Sequence, residues 1–310
     1  MDGSISRWFD REIAGCSLAD RRLTKRLRSL LERMGDAMGA SIPLACQDWA
    51  NTKAAYGFFS NQRISEAEIL AGHFDATRER FAATEGPILV LQDTTEFTYQ
   101  RERPERIGLT YRVNSGRGKD GRFRMHTVCG LLMHSSLAVT RRACPWTREK
   151  FKGTAALKKK INPTRVPIES KESIRWLENL RQPTALFGDP ARCIRIGDRE
   201  SDIYELFCTA AEVGTHFLVR SRVDRLAGDG GHTIPEEMAE TAVAGQHPVE
   251  VCDSKGRLET AIVELLYRSI RVLPPIRKQK RYPVLTLTVL YVQERNEPAD
   301  RPKIRLEADH

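Results

Sequence analysis

The hydrophobic pattern of the chain changes its period near residue 80, and this change limits the fold more than any other feature. Before that point apolar residues recur at helical spacing, with Asp20 as the predicted N-cap and Gly35 as the predicted stop of one basic, amphipathic helix. After it the chain alternates or forms the short apolar runs typical of strands. We therefore predict a helical front, then a mixed sheet, then an all-β stretch.

Two more helices are predicted in the front part. One begins at Ser65, which forms a capping box with Glu68. The other covers residues 47–59 and contains four aromatic residues, which we expect to fill the core rather than to stack on bases. These are Trp49, Tyr56, Phe58 and Phe59.

The middle of the chain contains several predicted strands. Residues 88–91 form a buried strand, and residues 126–134 and 137–140 form a hairpin that turns at Ser135 and Ser136. The Gly/Arg-rich segment 101–124 is expected to be a loop.

Further along, residues 193–197 predict a strand that leads through a sharp turn into a helix, and residues 216–220 form the next strand. From about residue 247 onward the alternation predicts an antiparallel β-section.

The charge balance favours a polyanionic partner. Fifty Lys and Arg residues against 41 Asp and Glu residues give a net charge of +9, and the basic residues are clustered along the chain. One face of the predicted basic helix could grip phosphates, and the alternative is an ordinary solvated face. Its residues are Arg21, Arg22, Lys25, Arg26, Arg28 and Arg33.

Cysteine usage and hydropathy indicate a cytoplasmic protein. The seven cysteines are widely spaced without a CxxC pair, so neither a disulfide framework nor structural zinc is expected. The N-terminus lacks the apolar stretch of a secretion signal, and no apolar run is long enough to span a membrane. We therefore expect no membrane partner.

Two acids occupy matching local settings. Asp93 follows the predicted strand 88–91 closely, and Asp198 follows the strand 193–197. The ends of strands in an α/β sheet are where ligand-handling residues gather. We therefore expect the two strands to lie side by side in the sheet, with the carboxylates of Asp93 and Asp198 facing one another at about 4–7 Å. Two facing carboxylates are typical of Mg²⁺ or Mn²⁺ sites, although an Asp after a strand is also a common turn or N-cap residue.

At these acids the chain resembles a known family, the DDE transposases of the insertion-sequence-four group. Two segments of this chain, QDTTEFTY at 92–99 and GDRESDIYELF at 197–207, resemble the two aspartate signatures of that family. The resemblance extends to further segments in the same order. These are SLADRRLTKRL at 17–27, WANTKAAYGFFSN at 49–61, ESKESIRWL at 169–177 and FLVRSR at 217–222.

The resemblance implies an α+β or mixed α/β chain with three regions. A helical DNA-binding domain would cover residues 1–75, and an RNase H-like catalytic core would follow at 76–222. A β-rich insertion would occupy 223–310. The implied activity is cut-and-paste transposition of bacterial DNA, in which phosphodiester hydrolysis and strand transfer depend on two Mg²⁺ or Mn²⁺ ions.

The resemblance also assigns roles to individual residues. Asp93 and Asp198 would be catalytic metal ligands, and Thr94 and Thr95 would support the first of them. The full-length form could be a homodimer that associates with the nucleoid. Contacts with transposon ends or target DNA would come from a set of basic residues. The set comprises Arg21, Arg22, Lys25, Arg26, Lys53, Arg199, Arg220 and Arg222.

One part of the family pattern is missing. The family's third acid is a Glu in the spacing Y-x-x-R-x-x-x-E on a helix beyond the β-rich insertion, and this spacing does not occur after the last predicted strand. The acids there are Glu294, Glu297, Asp300, Glu307 and Asp309. A truncated transposase that cleaves DNA poorly by itself is therefore expected.

Two alternatives remain open at this point. The chain could be a catalytically inactive remnant that recognises transposon ends or inhibits the full enzyme. It could also be a nuclease of the same fold with a different third ligand, for which His126 and His134 are the candidates.

Overall fold

The computed structural model describes residues 8–99, 107–117, 123–140, 146–153, 167–171, 173–252 and 256–295. The chain forms two compact units, Met1–Gly86 with Leu186–Gly188 and Pro87–Ala185 with Asp189–His310. The chain is thus mixed α+β, with helices at its start and sheets after them.

The first unit is helical. A core of mainly apolar side chains, including Leu27, Leu30 and Phe58, holds its helices together. The last helix continues past residue 75, where the first domain was predicted to end, and Phe81 near its end is buried. The helices are α1 (Trp8–Ile13), α2 (Arg21–Asp36), α3 (Ile42–Cys46), α4 (Trp49–Phe59) and α5 (Glu66–Ala82).

Two predicted helix starts are confirmed. The Asp20 carboxylate accepts a hydrogen bond from the backbone N–H of Arg22 at 2.8 Å, and Ser65 and Glu68 form the capping box. Such caps satisfy N–H groups that have no partner inside the helix. The predicted stop is one residue early, since Gly35 lies inside α2. A Cβ at Gly35 would lie 2.6 Å from the Trp8 ring, so this glycine serves close packing instead.

A six-stranded mixed sheet and two helices form the first part of the second unit. The strand order is β2-β3-β1-β5-β6, and β4 also pairs with β3. The elements are β1 (Ile88–Tyr99), β2 (Leu109–Arg117), β3 (Phe123–Val139), β4 (Trp146–Gly153), α6 (Ile174–Phe187), β5 (Cys193–Gly197), α7 (Tyr204–Val213) and β6 (His216–Val219).

Three predictions about this sheet are wrong. β1 does not end near Asp93, because β3 pairs with it as far as Tyr99. The hairpin turn at Ser135 and Ser136 is absent, since both residues lie inside the continuous strand β3 and pair with β1 and β4. Part of the predicted loop 101–124 is the strand β2. In the second and third cases cross-strand pairing outweighs the local preference of Gly or Ser for turns.

The remainder of the second unit is rich in β-structure, and the antiparallel section predicted there is confirmed by the pairing of β10 with β9 and β11. Tyr204 of α7 lies against this section, with its hydroxyl 3.0 Å from the carbonyl oxygen of Val272. The elements are β7 (Leu226–Ala227), β8 (His232–Thr233), α8 (Ile234–Ala239), β9 (Gly245–Cys252), β10 (Leu258–Val272) and β11 (Leu285–Glu294).

No helix in the described ranges is long and apolar enough to cross a membrane. The six described cysteines are free.

Candidate functional site

The strands that carry the two aspartates are neighbours in the sheet. β1 and β5 run parallel, and Ile88 to Gln92 pair in register with Cys193 to Gly197. This adjacency was predicted from the sequence and is confirmed. Since parallel neighbours lie about 4.8 Å apart, Asp93 and Asp198, each one residue beyond the last pair, are brought close together.

Alternation along the strands decides which face each side chain takes. Val90, Gln92 and Arg195 are buried on one face of the sheet. Asp93 and Asp198, displaced by one residue from the last paired positions, are exposed and lie on the other face. The separation of their carboxylates stays a prediction, on the order of 4–7 Å for a shared pair of ions.

A polar network on the buried face ties both strands to α6. Pro183 lies inside α6 and has no N–H, so the carbonyl of Asn179 lacks its usual helical donor. The side-chain amide of Gln92 donates to that carbonyl at 2.9 Å. Arg195 donates to the next carbonyl, that of Leu180, at 3.1 Å. The two aspartate-bearing strands are therefore fixed against one helix.

Arg195 is a deeply buried cation. Its side chain also donates to the Thr184 hydroxyl at 2.5 Å, and no ion pair with a carboxylate compensates its charge among the described residues. Burial lowers the pKa of Arg195 to about 10. A charge held under the sheet at neutral pH needs these carbonyl and hydroxyl acceptors, which fixes the position of β5.

A tight turn fixes Asp198. Its carboxylate accepts from the backbone N–H of Glu200 at 3.0 Å, so Asp198 caps a short 3-10 turn at residues 199–201 rather than the whole predicted helix. The Ser201 hydroxyl donates back to the carbonyl of Asp198 at 2.7 Å. Gly197 makes room for this turn, because a Cβ there would lie 2.2 Å from the Ser201 hydroxyl oxygen.

Asp93 is held in a comparable way. Its Oδ1 accepts from the backbone N–H of Thr94 at 2.7 Å. In the part of the chain that the structure describes, the second carboxylate oxygen of Asp93 has no hydrogen bond, and the same is true of Asp198. Each carboxylate is thus oriented by one backbone donor and offers one oxygen to a ligand.

Thr94 and His134 belong to the opposite face. The Thr94 hydroxyl lies 2.8 Å from Nδ1 of His134, and the His134 ring packs edge-on against Trp176 of α6. His134 is buried there and faces away from Asp93, so it is not a third ligand for the pair. The side chain of His126 lies outside the described residues. Thr95 is exposed on the face of Asp93.

The loop after β6 lies beside Asp198. The backbone N–H of Arg220 donates to the carbonyl of Gly197 at 3.2 Å, and the side chains of Arg220 and Arg222 are exposed. Arg199, in the turn after Asp198, is half-buried. The structure therefore brings Asp198, Arg220 and Arg222 into one neighbourhood.

A buried ion pair that was not predicted from the sequence supports this neighbourhood. Asp202 accepts from the backbone N–H groups of Arg222 and Val223 at 2.7 and 2.8 Å and pairs with Arg225 at 2.6 Å. The only signal in the sequence was a second Asp four residues after Asp198.

No third acidic or imidazole ligand joins the aspartates within the described ranges, where no group of three or more His, Cys, Asp or Glu residues could hold a metal ion. Of the late acids considered, only Glu294 falls within those ranges. The donor set for a metal is thus a pair of oriented carboxylates, completed by water or by substrate oxygens.

In the helical unit, the basic residues of α2 divide into two groups. Arg28 binds Asp10 at 2.6 Å and Arg33 donates to the carbonyl of Cys46 at 2.9 Å, so both serve the fold. Arg21, Arg22 and Lys25 are on the outer side of the helix, and no described carboxylate pairs with them.

The neighbouring helix α4 extends the exposed surface. Arg26 of α2 donates to the Asn51 side chain at 3.4 Å, which brings the two helices together. Lys53 is exposed on α4.

The aromatic residues of α4 correct a prediction. Only Phe58 is buried, at 3% exposure, whereas Trp49 and Tyr56 are 79% and 53% exposed. Phe59 is half exposed. The core needs only one side of α4, so Trp49, Lys53 and Tyr56, at helical spacing, lie along its outer side.

Comparison with known protein families gives a match, and it lies in the helical unit. A search of curated proteins finds no match to this chain. The match that is found covers α1 to α4: residues 5–64 fit the model of the transposase DNA-binding family, which supports a transposase and DNA as its partner.

Proposed function

We propose that this chain is a DNA transposase whose helical unit binds double-stranded DNA and whose sheet carries a carboxylate pair for metal-dependent cleavage. The observation that carries the proposal is the match of residues 5–64 to the transposase DNA-binding family. The mixed sheet with its helices supports an RNase H-like core, in which the aspartates of β1 and β5 would act together.

The DNA contacts of the helical unit come from α2 and α4. Arg21, Arg22, Lys25 and Lys53 are cations on the outer sides of these helices, which would neutralise phosphates and release counterions. Arg26 adds a contact where α2 meets α4.

The outer side of α4 fits the major groove, which is wide enough to admit a helix. Trp49 and Tyr56 offer apolar surface that could contact thymine methyl groups. Gly57 has open space around it, so no packing requirement explains a glycine in mid-helix. It would let α4 approach a DNA backbone closely.

Binding is tested with a labelled DNA duplex. Arg22→Glu with Lys25→Glu should weaken binding at least tenfold on any sequence, because about two phosphates are no longer neutralised and the new carboxylates repel the DNA. Arg11→Glu, an exposed arginine on α1, is the matched control and should have a much smaller effect. Binding that is insensitive to salt and to the double charge reversal at Arg22 and Lys25 would rule out this surface.

The catalytic proposal rests on Asp93 and Asp198. Mg²⁺ is commonly bound by one or two carboxylates, with water and phosphate oxygens completing its shell, and the two oriented carboxylates fit that role. Such ions, when bound, activate water and stabilise the leaving oxygen of a phosphodiester. Asp93 and Asp198 would hold the ions, and Arg220, Arg222 and Arg199 would orient the DNA phosphate beside them.

A DNA-binding protein without cleavage is the second candidate. It is favoured by the finding that, among the described residues, the two aspartates have no third ligand. Such a protein would recognise transposon ends or compete with an active enzyme for them.

Nicking of a labelled duplex with Mn²⁺ separates the two candidates. A transposase should nick the duplex, and Asp93→Asn should abolish nicking while leaving binding intact. Binding without nicking, unchanged by Asp93→Asn, would favour the second candidate. Nicking that persists in Asp93→Asn would exclude this carboxylate from the chemistry.

A further inference from the structure

The loop that joins β6 to β7, residues 220–225, has no regular secondary structure, yet its backbone is closely held. Arg220 bonds to Gly197 at one end, and the carbonyl of Arg225 accepts from the N–H of Ile234 at 3.0 Å at the other. Between these points, the backbone N–H groups of Arg222 and Val223 both donate to a single atom, Oδ2 of Asp202.

The same carboxylate is also charge-paired. Its other oxygen, Oδ1, binds Arg225 at 2.6 Å, and the side chains of Arg225 and Asp202 are 7% and 1% exposed. Arg225 further donates to the carbonyls of Asp202 and Val223, at 3.1 and 3.2 Å, and lies over the Phe207 ring. An ion pair buried this deeply contributes little net stability, because both charges lose their hydration. Its value lies in fixing geometry.

The geometry it fixes connects two functional elements. Asp202 belongs to the turn that begins at Asp198, and its backbone N–H donates to the carbonyl of Arg199 at 3.3 Å. Through Oδ2 it sets the backbone at Arg222, whose guanidinium is exposed. Asp202 therefore links the turn that begins at Asp198 to the loop 220–225, which carries Arg220 and Arg222.

We propose that Asp202 and Arg225 are positioning residues that hold Arg220 and Arg222 beside Asp198, so that a DNA phosphate held by these arginines lies at the carboxylate pair. This inference rests on the proposed function but adds residues outside both the carboxylate pair and the DNA surface. Asp202 and Arg225 themselves touch neither DNA nor metal.

The test uses two double variants of the full chain that differ only at residue 202. Asp202→Asn with Arg225→Met removes both charges but keeps a side-chain oxygen for the two N–H groups. Asp202→Ala with Arg225→Met removes that acceptor as well. Neither variant leaves an unpaired buried charge, so both are expected to fold. Arg220→Gln with Arg222→Gln is the reference for a loop without its positive charges.

Binding to a labelled DNA duplex is measured from about 50 to about 200 mM salt. The slope of log K against log[salt] should become shallower by about 0.9 for each phosphate that the protein no longer neutralises. We expect the Ala double variant to lose as much slope as the Arg220/Arg222 reference, and the Asn double variant to keep the slope of the unmodified chain. Hydrogen exchange at the amides of Arg222 and Val223 should be slow in the Asn form and fast in the Ala form.

Other outcomes overturn the inference in distinguishable ways. If the reference loses slope and the Ala form does not, Asp202 does not position the arginines. An unchanged slope in the reference means that these arginines do not bind DNA. If the unmodified chain binds no duplex at all, the proposed function fails and the inference fails with it.

Discussion

Gly197→Ala is expected to destabilise the turn that holds Asp198. The new Cβ would lie 2.2 Å from the Ser201 hydroxyl oxygen and 2.9 Å from its Cβ, and Ser201 is 1% exposed. Ordinary contacts need about 3.5 Å, so Ser201 must move by roughly 1 Å. Overpacking of this kind costs about 1–3 kcal/mol. Loss of the Ser201 hydrogen bond to Asp198 adds about 1 kcal/mol, and reduced chain entropy returns roughly 0.5 kcal/mol.

The net loss of about 1.5–3.5 kcal/mol should speed amide exchange in peptides from β5 and α7 by about 10- to 400-fold. Gly57→Ala is the matched control, since open space surrounds Gly57 and alanine favours a helix. Adding Ser201→Gly to Gly197→Ala should restore part of the stability. Exchange in Gly197→Ala as slow as in the unmodified chain would refute the packing argument.

Three further predictions concern stability. Phe58→Ala should lower the free energy of unfolding of the helical unit by about 3–5 kcal/mol, whereas Trp49→Ala should change it by less than about 0.5 kcal/mol, as thermal unfolding can show. Burial raises the pKa of Glu12, but hydrogen bonds with the side chains of His73 and Arg80 outweigh burial and lower this pKa below its ordinary value of 4.5. The ionised Glu12 therefore stabilises the folded chain above about pH 4.5, and this stabilisation is lost as the pH falls through the lowered pKa. In Glu12→Gln the free energy of unfolding, measured as a function of pH, should depend less on pH in that acid range. Gln92→Leu should cost about 1–3 kcal/mol in urea unfolding by leaving a buried carbonyl unbonded, and adding Pro183→Ala, which supplies a helical N–H to that carbonyl, should recover part of it.

Much of the fold could be predicted from local patterns. The N-cap at Asp20, the capping box at Ser65 and the antiparallel tail depend on short-range rules and are confirmed. The adjacency of the two aspartate-bearing strands was also predicted, because both segments read as buried strands with an acid close behind, and the two strands pair in parallel.

The errors come from long-range pairing and packing. Ser135 reads as a turn residue, but it pairs with Asp93 on one side and Glu149 on the other. Trp49 reads as a core residue because aromatic side chains are usually buried. It lies instead on the exposed side of α4, and Phe58 on the other side fills the core. Arg195 and Asp202 look like surface charges in the sequence, and only the packing of α6 and the loop after β6 shows that they are buried. Periodicity cannot reveal such partners.

The positions of the candidate residues make binding and cleavage separable. The basic residues of α2 lie in the helical unit, and the carboxylate pair lies in the sheet unit. Asp93→Asn removes one negative charge without disturbing the buried face of β1, so it should leave duplex binding unchanged or slightly stronger while removing any cleavage. Arg22→Glu with Lys25→Glu should weaken binding but leave Asp93 and Asp198 intact, so residual cleavage at saturating protein should match the unmodified chain. A loss of cleavage that saturating protein does not restore would mean that α2 also takes part in the chemistry, and the assignment of separate roles to the two units would be wrong.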